Sequence, residues 1–78
     1  MFITVQLTIT NGVVAKTIND YSTIAQAKEA HHGFLSYNYN VAVLPTLEYF
    51  LAEILDKDGN IVARETYYAP AKAATEGE

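Results

Sequence analysis

Residues 2–10 alternate strictly between apolar and mostly polar side chains. The apolar positions are Ile3, Val5, Leu7 and Ile9, and threonines and a glutamine dominate the positions between them. Strict alternation with many β-branched residues is typical of a half-buried strand. We therefore expect the apolar side of this strand to face the core and its Thr-rich side to face outward.

Asn11-Gly12 follows this strand directly and predicts a tight hairpin. Both residue types tolerate the positive φ angles that a two-residue type I′ turn requires. A return strand is therefore expected from Val13 to about Ile18.

The register of this hairpin has two alternatives. Placing Val14 opposite Ile9 puts Lys16 on the apolar side, opposite Leu7. A slip by one residue moves Lys16 outward and places Val13, Ala15 and Thr17 on the apolar side instead. We favour the second register, because an unpaired buried ammonium group is costly.

A helix is predicted after the polar stretch 19–23. Ser22 or Thr23 is the expected N-cap, and Thr23 with Gln26 has the spacing of a capping box. The helix should run to about Tyr37, and Gly33 weakens it by about 1 kcal/mol relative to Ala. Its apolar stripe, at helical spacing, consists of Ile24, Ala27, Ala30, His31, Phe34, Leu35 and Asn38.

A second hairpin is predicted in the C-terminal half. Residues 41–44 form a connector or strand lead-in, residues 46–55 a strand that is apolar on both sides, and residues 61–68 the return strand. The segment Asp56–Asn60 has a glycine at the left-handed position of a common hairpin turn. If Asp56 pairs with Asn60, Tyr49 lies across from Tyr67.

These elements predict an α+β fold of the type ββαββ. One helix between two hairpins gives a four-stranded, mostly antiparallel sheet with the helix on one face, which is a two-layer sandwich. The two most hydrophobic strands belong in the centre, so the expected strand order is 2-1-3-4. We expect a single domain over residues 1–69 and a flexible, acidic and Ala-rich tail over residues 70–78.

Composition excludes several classes of protein. The chain has 78 residues, a net charge of −4 and no cysteine, so it can form no disulfide. Its five Lys and Arg residues are scattered, whereas nucleic-acid binders cluster theirs. No apolar run approaches the roughly 20 residues of a membrane span, and the N-terminus lacks a signal-peptide pattern, so we expect a cytoplasmic protein. A domain of fewer than about 80 residues usually needs a metal, self-association or very good packing to be stable.

The adjacent histidines are the first candidates for chemistry. His31 lies on the apolar stripe of the helix, and His32 lies on its flank, three residues after Glu29. Neighbouring helical side chains diverge by about 100°, so the two imidazoles do not readily bind one ion. Glu29 with His32 is a weak metal-site candidate because no third ligand is in register. We expect no metal, no cofactor and no catalytic residue.

The second hairpin has more apolar residues than one helix can cover. Whichever face turns toward the helix, the other remains apolar, and such a patch usually marks a protein interface. The alternative is that the tail or the connector 38–45 folds over it. The interface residues that we predict are Tyr49, Phe50, Leu51, Ala52, Ile54, Val62, Tyr67 and Tyr68.

Over residues 2–70 the chain resembles small uncharacterised proteins of Firmicutes and their phages. The resemblance is carried by Tyr21-Ser22, Ala27, His31-His32, the turn Leu55–Asn60 and Tyr67-Tyr68. These motifs are structural, and the group has no settled activity to transfer. The resemblance implies an accessory protein of a phage or mobile element.

We therefore expect a non-enzymatic interaction or assembly module. Its partner is a protein, either further copies of the chain in a homodimer or higher oligomer, or a phage or host protein. We expect it to bind neither nucleic acid nor a membrane. It would act in the cytoplasm of the host cell or on the virion.

Two alternatives remain open. The first is a monomeric inhibitor of a host protein, in which acidic residues steer binding to a basic surface; these are Glu48, Glu53, Asp58 and Glu65. The second is a small metal-binding or hydrolytic protein that uses His31 and His32.

Overall fold

The computed structural model describes residues 1–69, which form four strands and one α-helix in the predicted ββαββ order. The strands β1 (Phe2–Thr10), β2 (Val13–Tyr21), β3 (Leu47–Asp56) and β4 (Ile61–Tyr68) form one antiparallel sheet in the order β2-β1-β3-β4. The helix α1 (Ile24–Asn38) packs on one face of it. The predicted fold class and strand order are confirmed. The predicted tail lies outside the described residues.

The first hairpin has the register that we did not favour. Asn11 and Gly12 have φ angles of 51° and 80°, as a type I′ turn requires. This two-residue turn places Thr10 opposite Val13 and therefore Lys16 opposite Leu7. The argument against a buried ammonium does not apply, because Lys16 is exposed. The strand β2 also runs three residues further than predicted, into the polar stretch 19–23 that precedes the helix.

The helix begins where its capping box predicts. The Thr23 hydroxyl accepts a hydrogen bond from the Gln26 backbone N–H at 3.2 Å, and the Gln26 side chain accepts one from the Thr23 N–H at 3.4 Å. The stripe is on the packed side, since Ala27, His31 and Asn38 are buried. Asn38 ends the helix and donates from Nδ2 to the Phe34 carbonyl at 2.8 Å.

The second hairpin contains a bulge that shifts its register. The Asp56 N–H donates to the Asn60 carbonyl at 2.9 Å, so Asp56 does pair with Asn60. Between the pairs Leu55–Ile61 and Ile54–Ala63, however, β4 carries one extra residue, Val62. Tyr49 consequently lies opposite Tyr68, with ring centroids 4.7 Å apart, and not opposite Tyr67.

The sheet has two faces, and the helix covers the Thr-rich side of β1. Gln6 donates from Nε2 to the Ala30 carbonyl at 3.4 Å, and Thr4 is fully buried. The prediction that this side faces outward was therefore wrong. Thr4 and Gln6 pair with Ile54 and Ala52 of β3, and paired residues share a face. The large apolar side chains of β3 determine where the helix packs. The polar side of β1 lies on the same face of the sheet, so the helix covers it as well.

We call the uncovered side of the sheet the open face. It consists of the apolar side of β1 and of the residues on the other strands that lie opposite these positions in the observed register, because paired residues point to the same face. Its members are Ile3, Val5, Leu7 and Ile9 of β1; Val14, Lys16, Ile18 and Asp20 of β2; Tyr49, Leu51, Glu53 and Leu55 of β3; and Ile61, Arg64, Thr66 and Tyr68 of β4.

The core lies between the helix and β3 and is small. The fully or nearly fully buried hydrophobic residues are Ala27, Leu47, Phe50, Ala52 and Ile54. Phe34 of the helix packs edge-on against Phe50, with ring centroids 5.7 Å apart. Leu44, in the short 3₁₀ helix Leu44–Thr46 before β3, packs against the same cluster.

Candidate functional site

The open face is an almost continuous apolar surface. At its centre, Leu7 of β1 lies directly opposite Leu51 of β3. Its apolar residues on the edge strands are largely in solvent, with Ile18 59% and Tyr68 71% exposed. An antiparallel sheet with one covered face normally turns its polar side to water. Here the more apolar side of β1 is the uncovered one.

The charged residues of the open face lie mostly on its edges and balance one another. Lys16 and Asp20 are on the edge strand β2, and Arg64 is on the edge strand β4. Glu53, on the inner strand β3, is 16% exposed and lies 3.3 Å from Arg64 (Oε2 to Nε). An apolar centre with a polar rim is the usual anatomy of a protein interface.

The predicted interface residues divide between the two faces. Tyr49, Leu51 and Tyr68 lie on the open face, as the interface hypothesis requires. Val62 is the extra residue of the β4 bulge and is 43% exposed.

The other four predicted residues lie on the helix side. Phe50, Ala52 and Ile54 are fully buried and cannot contact a partner, so they do not belong to the surface. Tyr67 stacks on Phe50, with ring centroids 5.8 Å apart and the planes at 17°. We had combined residues from both sides of the second hairpin because the sequence did not indicate which side packs on the helix.

The first hairpin contributes residues to the open face that the prediction missed. They are the apolar row of β1, which we had assigned to the core, and Val14 and Ile18 of β2. The signal for the β2 residues was present in Asn11-Gly12. A two-residue turn places Val14 opposite Ile9 and Ile18 opposite Val5, so both share the face of the apolar row.

The connector between helix and β3 does not cover the open face. Leu44 packs on the core cluster at the helix side, and Ala42 and Val43 line a cleft together with helix residues. No element within residues 1–69 packs against the open face. Of the two covers that the sequence suggested, the connector is thus excluded, and the tail lies outside the described residues.

That cleft, of about 490 Å³, lies on the helix side, beneath the end of α1. Its walls combine hydroxyl and amide groups with apolar side chains, and Tyr37 is the one titratable side chain among the described residues that line it. Within residues 1–69 the cleft therefore offers hydrogen bonds but no acid–base pair. Its lining residues are Gln6, Thr8, Thr10, Thr17, Phe34, Tyr37, Asn38, Ala42, Val43 and Thr46.

The histidine candidates are not brought together as a site. His31 is buried, with Nδ1 unpartnered, whereas His32 and Glu29 are exposed. Burial lowers the pKa of His31 below its usual value; His32 adds to this effect, and Glu65 opposes it. The two imidazole rings are tilted at 54° with centroids 5.9 Å apart. Within residues 1–69 no group of three His, Asp or Glu side chains is arranged to hold a metal ion.

A hydrogen bond links the C-terminal end of the helix to β4 on the helix side of the sheet. The hydroxyl of Tyr39, just after the helix, donates to Glu65 Oε2, and this hydrogen bond raises the pKa of Tyr39 to about 12. The Tyr39 ring packs edge-on against Phe50, with centroids 5.2 Å apart. Tyr39 and Glu65 therefore have a structural role, because their hydrogen bond holds the Tyr39 ring against Phe50.

The acidic residues of the inhibitor alternative do not form one surface. Glu53 lies on the open face beside Arg64, and Glu65 lies on the helix side. Glu48 accepts a hydrogen bond from the Gly12 N–H at 2.9 Å, and Asp58 is in the turn between β3 and β4. These four residues therefore do not form a single patch that would steer the protein toward a basic target.

Comparisons with protein-family models, with curated proteins and with solved structures found no match for this chain. No helix in the described part of the chain is long and apolar enough to cross a membrane.

Proposed function

We propose that the protein is a non-enzymatic interaction module that docks the open face of its sheet against another protein surface. The observation that carries this proposal is the orientation of β1, whose apolar row points away from the helix. These side chains are half-buried in the single chain, and burying such a side chain completely contributes about 1.5–3 kcal/mol in all. Association of the open face with another surface would recover the part that is still exposed to water.

The size of the core supports the same proposal. Within residues 1–69 the fully or nearly fully buried hydrophobic side chains come from one helix position and four positions on β3. A domain below about 80 residues rarely gains more than about 3–5 kcal/mol from one core, and this chain has no disulfide to add to it. A covered open face would supply the missing stabilisation.

The proposal includes a biological setting, which rests on the sequence. The resemblance of residues 2–70 to small proteins of Firmicutes and their phages supports an accessory protein of a phage or mobile element. Such a module acts in the host cytoplasm or on the virion, in contact with protein and without a cofactor.

Site-specific photocrosslinking in the cell that naturally encodes the chain tests the docking surface. The photoreactive residue p-benzoylphenylalanine replaces Tyr68, on the open face, or Tyr37, on the helix, which are similarly exposed at 71% and 67%. We expect protein adducts from position 68 and few from position 37. Adding Leu51→Asp to the Tyr68 variant should remove its adducts.

Equal adduct yields from both positions would contradict the proposal. So would adducts at position 68 that persist with Leu51→Asp, since the contact would not then involve the centre of the open face. The mass of each adduct shows whether the captured protein is another copy of the chain.

A further inference from the structure

We infer that the occupant of the open face is the open face of a second copy, so that two sheets pack face to face in a symmetric dimer. This inference rests on the proposed function and names its partner. The helices would be outermost, and the assembly would have the layer order helix, sheet, sheet, helix. Two sheets packed in this way lie about 10 Å apart with strands within about 30° of each other.

The area of the open face is sufficient for such a dimer. Neighbouring strands lie about 4.8 Å apart and same-face residues about 6.7 Å apart, so a grid of four strands and four rows covers roughly 500 Å². Two such faces together bury about 1,000 Å², which is the threshold for a biological interface, whereas standard stable interfaces begin at about 1,200 Å². The corrugation of the side chains adds to this planar value.

The charge of the open face favours a copy of itself over a charged partner. Lys16 and Arg64 balance Asp20 and Glu53, so the face is formally neutral. The whole chain carries −4, and that excess therefore lies away from this face. Two open faces approach without net repulsion, and the charged residues of the edge strands can pair across the rim.

The C-terminal segment of the chain is a poorer occupant. Residues 70–78 contain three alanines and one proline and no larger apolar residue. Alanine offers little apolar area to cover rows of Ile, Leu and Tyr. A second open face offers the same large side chains that it covers.

Sedimentation equilibrium of the full chain over a wide concentration range tests the inference. We expect the mass of two chains, dissociating to one on dilution. Ile18→Asp, at a position that is 59% exposed and outside the core, should fold normally and weaken dimerisation at least about tenfold, because symmetry places the new carboxylate in the interface twice. Val41→Asp is the matched control, at an 85% exposed residue in the connector. Circular dichroism verifies that both variants are folded.

Each outcome decides a different question. A wild type that stays monomeric at every concentration overturns the face-to-face dimer, whereas the proposed function survives if position 68 crosslinks to another protein. A dimer that Ile18→Asp does not weaken overturns the inference, because another surface then holds it together. Isotope-filtered NOEs between the methyl groups of Leu7 and Leu51 in different copies are expected for face-to-face packing. Their absence in a dimer overturns face-to-face packing.

Discussion

Leu7 of β1 and Leu51 of β3 lie directly opposite each other at the centre of the face that the helix leaves uncovered. One residue earlier on β1 and one later on β3, Gln6 and Ala52 form the corresponding pair beneath the helix. The sheet thus has apolar residues on both faces, although residues 1–69 contain a single α-helix to cover them. The stability of the folded protein therefore depends on how far Leu7 and Leu51 are shielded from water.

The melting temperature of the wild type is expected to rise with protein concentration. Association that occurs only in the folded state stabilises it by mass action, so a dimer melts later when it is more concentrated. Calorimetry of the wild type and of Ile18→Asp over the same dilution series measures this. The variant should melt at a lower temperature, and its midpoint should depend less on concentration than that of the wild type. A wild-type midpoint that is independent of concentration would rule out folding coupled to dimerisation.

The order of elements could be predicted because each is signalled locally. Asn11-Gly12 specifies a tight turn, Thr23 with Gln26 specifies a helix start, and the Asp56–Asn60 segment specifies the second turn. These signals depend on hydrogen bonds and φ angles within a few residues. They required no knowledge of the remainder of the fold.

The face that the helix covers could not be predicted in the same way. Alternation in β1 indicates that its two sides differ, but the helix position depends on Phe50 and its neighbours in β3, which are distant in sequence. The predicted register of the first hairpin was wrong for a related reason, because it assumed that the apolar side of β1 is buried and therefore closed to Lys16. The bulge at Val62 likewise has no clear sequence signal, and it places Tyr68 instead of Tyr67 opposite Tyr49.

Two substitutions of glycine by alanine are expected to have opposite effects. Gly12 has a φ angle of 80° in the hairpin turn, so Gly12→Ala should cost about 1–2 kcal/mol of left-handed strain. Gly33 lies within the helix with open space around its missing Cβ, so Gly33→Ala should stabilise by up to about 1 kcal/mol. In a domain of this size, 1 kcal/mol corresponds to a shift of about 4–8 °C in melting temperature.

Each glycine variant is the control for the other, because the same methyl group is added in both. Thermal melts of the two at one protein concentration measure the difference. Destabilisation by both substitutions would indicate that the helix around Gly33 has no room for a side chain. Stabilisation by both would contradict the positive φ of Gly12.

Stability is expected to decrease as the pH falls below 6.5, the ordinary pKa of histidine. Burial depresses the pKa of His31 in the folded state, so the unfolded chain binds a proton that the folded chain does not. The stabilisation is therefore complete above pH 6.5 and is lost as the pH falls toward the folded pKa. Urea unfolding across this range measures it. His31→Leu should remove this part of the pH dependence.

His32→Leu is the matched control for that experiment. His32 is exposed and is the second cause of the depressed pKa of His31, after burial. Most of the pH dependence should therefore persist in His32→Leu. Glu65, on β4, acts on His31 in the opposite direction and stays in place in both variants. Loss of the dependence in His32→Leu alone would show that burial of His31 is not its main cause.

The last prediction concerns the hydrogen bond from Tyr39 to Glu65 at high pH. This bond raises the pKa of Tyr39 from 10.0 to about 12, so above pH 10 the folded state retains a phenolic proton that the unfolded state loses. Stability should therefore fall as the pH rises through this interval. Tyr39→Phe should weaken that fall, whereas Tyr37→Phe, at an exposed residue, should leave it unchanged. Urea unfolding above pH 10 measures the effect, and ultraviolet titration should show a late phenolate transition in the wild type that Tyr39→Phe lacks. Parallel losses of stability in the wild type and Tyr39→Phe would mean that Glu65 does not hold this proton in solution.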